Sequence, residues 1–224
     1  VRRAAGGAVG SAVRGVAGRA AGLLALLLLA GCMSIGAGGD AGPQVYRQLV
    51  DGTAAPQRRA QPLVDAIVIQ PLPADALADT ASIAYSRIDR EFAFYQLASW
   101  TERPVRRLPR LLQQRLEARG VAGAVGLLGE PLRADWLLTL AVDAVHPDVA
   151  VPPGQARLAL TVELFDRRRP GRVARRSFEA TVPTTSADSA AAATALSQAT
   201  GRVFDVLLPW LEGELQRAAA KSGP

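Results

Sequence analysis

Three stretches of chain decide the fold: WLLTLAVDA (residues 136–144), RLALTVEL (157–164) and RVARRSFEATV (172–182). In the first two, apolar and other residues alternate with a period of two, which is typical of strands with one buried face. Pro152-Pro153-Gly154 and the tip at 167–171 supply the turns between them. We therefore predict a three-stranded antiparallel meander whose buried side chains are Trp136, Leu138, Leu140, Val142 and Ala144, then Leu158, Leu160, Val162 and Leu164.

A long helix is predicted to follow this meander. Ser186 is a suitable cap and Asp188 suits the first turn. An apolar face with helical spacing then runs through Ala192, Leu196, Ala199, Val203, Val206 and Trp210. Pro209 falls within this pattern and predicts a kink or a break there.

The residues before the meander predict further strands and one more helix. The strands are expected at 45–50, 63–70, 82–88, 91–97 and 122–128, with 63–70 central because both of its faces are apolar. The helix is expected to carry Pro109 in its first position and to end at Gly120. The fold class is therefore α/β of the α+β kind: a mixed, largely antiparallel sheet with a central helix and a long C-terminal helix packed on it.

Residues 1–31 have the pattern of an export signal. A basic stretch rich in glycine and alanine precedes the apolar run LLALLLLA (23–30), which is too short to span a bilayer and suits the apolar region of a signal peptide. The run ends in Leu29-Ala30-Gly31-Cys32, which resembles the bacterial lipobox. We predict cleavage between Gly31 and Cys32 and acylation of the Cys32 thiol, where two or more chains make anchoring stable.

The residues after Cys32 predict where the protein is held. Met33-Ser34 follows the cysteine with no aspartate beside it, which resembles the outer-membrane address of Gram-negative lipoproteins. Residues 32–43 are rich in glycine and are expected to form a flexible tether. Residues 44–220 are then expected to form the folded domain.

Composition argues against several functions. The chain of 224 residues has 26 basic and 20 acidic residues, but four arginines and no acid fall within 1–31, so the excess does not indicate nucleic-acid binding. Cys32 is the only cysteine and His146 the only histidine, which excludes cysteine-rich and multi-histidine metal sites. No glycine-flanked nucleophile and no phosphate-binding glycine loop is present, so we expect no catalytic residues and no cofactor or metal.

Two surfaces remain as candidates for interaction. Arg167, Arg168 and Arg169 begin an arginine-rich turn that could contact lipid headgroups or an acidic partner, although a solvated hairpin tip explains it more simply. Aromatic residues concentrate between 85 and 100. Tyr85, Tyr95 and Trp100 could form an apolar ligand groove, but a core or a subunit interface is the simpler interpretation.

The order of several segments resembles the ABC-type transport auxiliary lipoprotein family. The resemblance rests on the lipobox and on IVIQPLP (67–73), SIAYSR (82–87), Phe94-Tyr95 and WTERP (100–104), followed by a leucine-rich helix. It covers roughly residues 44–215 and implies a fold like that of anticodon-binding or TolB amino-terminal domains.

The resemblance also implies a function. It suggests a non-catalytic domain at the periplasmic face of the outer membrane. Its partner would be a lipid transport system with an ABC permease, an ATPase and a mammalian-cell-entry type periplasmic protein, and self-assembly is implied too. Two alternatives stay open: a lipoprotein regulator of a cell-wall synthase, and a lipid-binding chaperone with an apolar cavity near residues 85–100.

Overall fold

The computed structural model of the chain describes residues 42–221. The predicted signal segment, Cys32 and most of the predicted tether lie outside the described residues. Within that range there are eight strands and two helices: β1 Val45–Arg47, β2 Val64–Pro71, β3 Ser82–Ile88, β4 Glu91–Trp100, α1 Pro104–Arg119, β5 Ala122–Leu127, β6 Trp136–Asp148, β7 Gln155–Asp166, β8 Arg172–Pro183 and α2 Ser189–Ala220. The predicted fold class is confirmed: a mixed sheet carries a central helix and a long C-terminal one.

Strand β6 lies at the centre of the sheet and pairs with β2, β3 and β7. One of its edges pairs with β7 along its whole length, from Trp136 opposite Asp166 to Asp148 opposite Gln155, and β8 continues the meander beyond β7. Its other edge is shared: β2 runs parallel to the first residues of β6, and β3 meets the end of β6 at Asp148. β5 then lies beyond β2, and β4 and β1 lie beyond β3.

The two ends of the sheet carry different turns. The turns at residues 89–90 and 149–154 lie at one end, which we call the hairpin end. The turn at residues 167–171, together with the start of β6, lies at the other end, which we call the arginine end. Since β6 has 13 residues, at about 3.3 Å per residue the two ends are about 40 Å apart.

The core lies where α1 and α2 pack on the sheet. Leu138 and Leu140 of β6 are buried with Leu158 and Leu160 of β7, and Phe204 of α2 is fully buried in the same cluster. This confirms the alternation on which the meander was predicted. The end of β6 differs from the prediction.

A β-bulge changes the register near the end of β6. Val142 pairs with Leu160 but Ala144 pairs with Ala159, so one extra residue lies between them on β6. The bulge moves Ala144 to the opposite face, and Val145 takes its expected place in the core cluster. Ala144 is buried as predicted, at 8% exposure, but on the opposite face from Val142.

Helix α1 begins earlier than expected. Pro104 rather than Pro109 occupies the N-terminal turn, and Pro109 is a buried residue inside the helix. The N–H of Arg107 already donates to the Arg103 carbonyl at 2.9 Å, so Pro109, two residues further on, removes a single backbone bond close to the helix start. The C-terminal prediction holds: Gly120 ends the helix at a φ of +71°.

Helix α2 is capped by Asp188 and not by Ser186. The Asp188 carboxylate accepts hydrogen bonds from the backbone N–H groups of Ala190 and Ala191 at 2.8 and 2.9 Å, while the Ser186 hydroxyl donates to Asp188 at 2.6 Å. The helix then runs without a break through Pro209. Burial of α2 against the meander supplies the stability that a lost backbone bond removes.

Replacing Asp188 is expected to change how stability responds to acid. The bonds from Ser186 and then from the helix start lower the pKa of Asp188 from its ordinary 3.8. A group with a lowered pKa adds stability that is complete above the ordinary value and is lost as the pH falls through the folded one. Asp188→Asn keeps a capping side chain but removes the titratable carboxyl group. The free energy of unfolding of this variant should therefore match that of the wild type at pH 7 and should decrease less between pH 5 and pH 2. Urea unfolding across that range measures this. Parallel pH curves would contradict it.

Two glycines of α2 should respond oppositely to alanine. A Cβ on Gly201 would lie 2.3 Å from the Thr53 Cγ2 atom, whereas a Cβ on Gly213 would have the Arg217 guanidinium at 3.5 Å as its nearest neighbour. We expect Gly201→Ala to destabilise the domain by about 1–3 kcal/mol through overpacking. Gly213→Ala should stabilise it by about 0.5–1 kcal/mol, because glycine is a poor helix former. Thermal unfolding of both variants checks the signs, and equal signs would contradict the close approach of Thr53.

Candidate functional site

The three aromatic residues singled out in the sequence occupy different environments. Trp100 at the end of β4 is only 3% exposed and belongs to the core cluster. Tyr85 and Tyr95 are half-buried on neighbouring strands, with ring centroids 4.7 Å apart. Trp100 is therefore a packing residue in this domain, and the two tyrosine rings contact each other with their planes tilted by 48°.

Tyr95 is held as a neutral phenol. Burial is the main cause that raises its pKa to about 12, and the negative charge of Asp188 adds to the effect. Its hydroxyl is buried and finds no hydrogen-bond partner among the described residues. The phenol therefore stays protonated near neutral pH, with a pKa far from the range that suits acid–base catalysis.

The cavity nearest to this aromatic segment is small. It has a volume of about 100 Å³ and lies between Phe92, His146 and Leu77. Sites for drug-sized ligands usually measure about 300–1,000 Å³. The geometry therefore does not favour the lipid-binding chaperone that the sequence left open.

His146 lies on β6 and not in a loop. It is half-buried, and the ring of Phe92 meets it edge-on at 4.9 Å. Burial is the main cause that lowers the pKa of His146, and the positive charge of Arg157 lowers it further. The imidazole is thus neutral at pH 7 and packs as an aromatic group against the β3–β4 hairpin.

The arginine turn is built around Asp166. The Asp166 carboxylate accepts bonds from the Arg168 backbone at 3.1 Å and from its guanidinium at 2.8 and 3.1 Å. This pairing with Arg168 is the main cause that lowers the pKa of Asp166. Arg168 also stands 5.8 Å above the Trp136 ring and 3.5 Å from Asp135. Its charge is therefore largely satisfied within the domain.

The side chains of Arg167 and Arg169 form weaker contacts within the domain than that of Arg168. The Arg167 guanidinium donates one bond of 3.3 Å to the Ala134 carbonyl, and the Arg169 guanidinium stands 3.9 Å from the Asp166 carboxylate. Both are exposed at the arginine end. Each guanidinium has five N–H donors, so both keep capacity for an acceptor outside the chain.

Two grooves flank this turn. The larger, of about 950 Å³, is lined by charged residues of both signs together with Trp136. The smaller, of about 300 Å³, lies against the end of α2 and includes Arg169, Arg172, Arg217 and Lys221. The larger groove is open and polar, so its form suits contact with a protein surface or a charged group better than enclosure of an apolar ligand.

Two further features are absent from residues 42–221. No group of three or more His, Cys, Asp or Glu side chains there has an arrangement that could hold a metal ion. Neither α1 nor α2 combines the length and the apolar character needed to cross a bilayer.

Sequence reasoning missed one feature of the surface. Four large apolar residues of the hairpin end are exposed: Ile88, Phe92, Phe94 and Val151. The β-branched and aromatic residues that predict β3 and β4 do not distinguish a buried face from an exposed apolar one. Only the register of the hairpin and the position of the 149–154 turn bring these residues to one end.

Comparisons with known proteins agree with the fold. A family model described as the ABC-type transport auxiliary lipoprotein component matches residues 48–206. The crystal structure of protein XCC0632 from Xanthomonas campestris is similar with a TM-score of 0.71 and 23% identity, covering 79% of this chain and 99% of that one. A second solved structure, of an uncharacterized protein, is similar with a TM-score of 0.58 and 14% identity, covering 76% and 99%. No curated protein matches the chain.

Proposed function

Because the chain belongs to the ABC-type transport auxiliary lipoprotein family, we propose that it is a non-catalytic accessory lipoprotein of a lipid transport system. In this proposal it is held at the periplasmic face of the outer membrane and docks to a periplasmic protein of the mammalian-cell-entry type. The observation that carries the proposal is the family match over residues 48–206, which is most of the described domain.

Anchoring depends on Cys32. Its thiol follows the apolar run directly and is the only thiol of the chain, so it is the one residue that can take the diacylglycerol. Eleven residues separate Cys32 from Gln44, and at about 3.5 Å per residue they reach at most about 40 Å. The folded domain then works close to one leaflet, by position and contact.

Docking is assigned to the arginine end. β1 runs parallel to β4, so the chain that precedes Val45 leaves β1 toward the hairpin end. The arginine end therefore points the other way, toward the partner, and exposes Arg167 and Arg169 beside the open groove. Arginine guanidinium groups pair well with carboxylates, so the complementary surface would be acidic.

Co-purification from the native cell envelope tests the proposal. Tagged wild-type protein should retain the mammalian-cell-entry type protein, and Arg167→Glu combined with Arg169→Glu should reduce the recovered partner at least tenfold. Arg106→Glu combined with Arg110→Glu is the matched control, because both arginines are exposed on α1 away from the turn. It should leave recovery unchanged.

Two results would contradict the proposal in different ways. If the wild type retains no protein of that type, the partner is wrong. If the arginine variant retains as much partner as the control variant, docking does not use the arginine end.

A further inference from the structure

The hairpin end exposes a group of large apolar side chains. Val151 is 78% exposed, Ile88 60%, Phe94 47% and Phe92 41%. Exposure of single apolar residues is ordinary, but several at one end of a domain indicate a surface that contacts something apolar.

Two neighbouring turns present the most exposed of these residues. Ser86 pairs with Asp148, and the backbone N–H of Val149 donates to the Ser86 carbonyl at 2.8 Å. The 149–154 turn therefore leaves β6 next to the end of β3, which brings Val151 and Ile88 to the same end of the sheet.

The 149–154 turn is held firmly by polar bonds at its base. The Thr184 hydroxyl donates to the Pro153 carbonyl at 2.6 Å, and the Thr184 N–H donates to the Gly154 carbonyl at 2.9 Å. The tip itself is apolar, since Val151, Pro152 and Pro153 are all exposed. Proline has no backbone N–H, so this tip exposes fewer unsatisfied donors than an ordinary turn.

The length of chain between Cys32 and Val45 can be compared with the distance from Val45 to the hairpin end. Val45 pairs with Ala98, and β4 extends seven residues further toward the hairpin end, to Glu91. The register between β3 and β4 shifts within this stretch, so the distance is taken along β3. Ser82 pairs with Ser99 and Ile88 with Glu91, which gives six residues, or about 20 Å at about 3.3 Å per residue. Cys32 comes thirteen residues before Val45, a contour of at most about 45 Å at about 3.5 Å per residue. An anchor on Cys32 therefore allows the hairpin end to reach the lipid surface.

We propose that the hairpin end rests on the phospholipid leaflet that holds the anchor, with Val151 and Ile88 entering the boundary between headgroups and acyl chains. The inference rests on the proposed acylation of Cys32. Arg87 near the end of β3 and Arg90 in the turn are both exposed; Arg87 lies 5.2 Å from the centre of the Tyr85 ring, and Arg90 stands 3.5 Å from Asp89. Their long side chains let the guanidinium groups reach lipid phosphates while the stems lie along apolar surface. The anchor keeps the local concentration of the domain high, so a small apolar contact suffices to orient it.

A single nitroxide label tests the contact. Acylation consumes the Cys32 thiol, so Val151→Cys gives the mature protein one free thiol for labelling. Val173→Cys is the matched control, because Val173 is also exposed, at 38%, but lies near the arginine end on β8. Both labelled, acylated proteins are reconstituted in vesicles of phosphatidylethanolamine and phosphatidylglycerol, and collisions with oxygen and with a water-soluble nickel chelate are measured.

The label at residue 151 should collide several-fold more with oxygen than with the nickel chelate, as a label in lipid does, whereas the label at 173 should favour the chelate. Equal, water-like behaviour at both positions would overturn the inference. So would protection of residue 151 from both reagents, which indicates that a second copy of the chain covers it. Mass spectrometry on the same samples separates the two claims, because an unmodified Cys32 refutes the anchoring and the inference that rests on it.

Discussion

Phe204→Ala is expected to lower the free energy of unfolding by about 3–5 kcal/mol. Phe204 has no exposed surface and is among the largest fully buried side chains of the described domain. It lies on α2 within the cluster that joins this helix to β6, β7 and β8. Alanine would remove the ring and leave a cavity that these well-packed elements cannot close, since an interior of native density relaxes only in part.

Val206→Ala is the control for this substitution. Val206 lies two residues further along the same helix but is 51% exposed. Its loss should cost less than about 0.5 kcal/mol. Urea denaturation of both variants gives the comparison. Similar costs for the two would mean that α2 does not pack on the meander through the face that carries Phe204.

How much of this fold could be predicted is best seen in β6. The alternation of Trp136, Leu138, Leu140 and Val142 predicted the strand and its buried face correctly. It then predicted the wrong face for Ala144. Ala144 and Val145 are both apolar, so a one-residue bulge between Val142 and Ala144 cannot be recognised from the pattern. Local periodicity predicts a strand, whereas register depends on the neighbouring strand.

The contacts of the arginine turn and the apolar residues of the hairpin end were equally hard to predict from local sequence. The arginine turn was visible in the sequence as a charge cluster. The ion pairs of Arg168 with Asp166 and Asp135 were not visible there. The exposed apolar residues Ile88, at the end of β3, and Val151, in the 149–154 turn, are 63 residues apart in sequence. Only the pairing of β3 with β6 brings them to the same end of the sheet. Such a site depends on topology, which a single sequence does not display.

One ion pair between the two helices was not visible in the sequence. Arg119 suits the last turn of a helix on dipole grounds, but the structure pairs it with Glu212 of α2 at 2.6 Å. Burial tends to raise the pKa of Glu212, but the bonds and charges of Arg119 and Arg59 outweigh it, so the net change is a lowering. The separation of 93 residues between Arg119 and Glu212 explains why sequence reasoning missed the pair.

Arg115→Met should be the second most costly substitution, at about 3 kcal/mol. The Arg115 side chain is only 5% exposed and joins three parts of the domain. It donates to the Asp51 carboxylate at 3.0 Å, to the Ala54 carbonyl at 2.7 Å and to Asp205 of α2. Removing one partner of a buried ion pair is costly because the charge left behind loses its compensation. The cost falls at the lower end of the usual 3–5 kcal/mol because Asp205 is half-exposed and can be solvated.

Arg110→Met on the same helix isolates the effect of burial. Arg110 pairs with Glu102 at 3.2 Å, but its side chain is 56% exposed, so its loss should cost less than about 0.5 kcal/mol. A double variant then tests the cause of the larger loss. If the unpaired Asp51 carboxylate is responsible, adding Asp51→Asn to Arg115→Met should restore about 1 kcal/mol, even though Asp51→Asn alone is destabilising. If the double variant is instead less stable by the full sum of the two single losses, Arg115 acts through the packing of its stem and not through its charge.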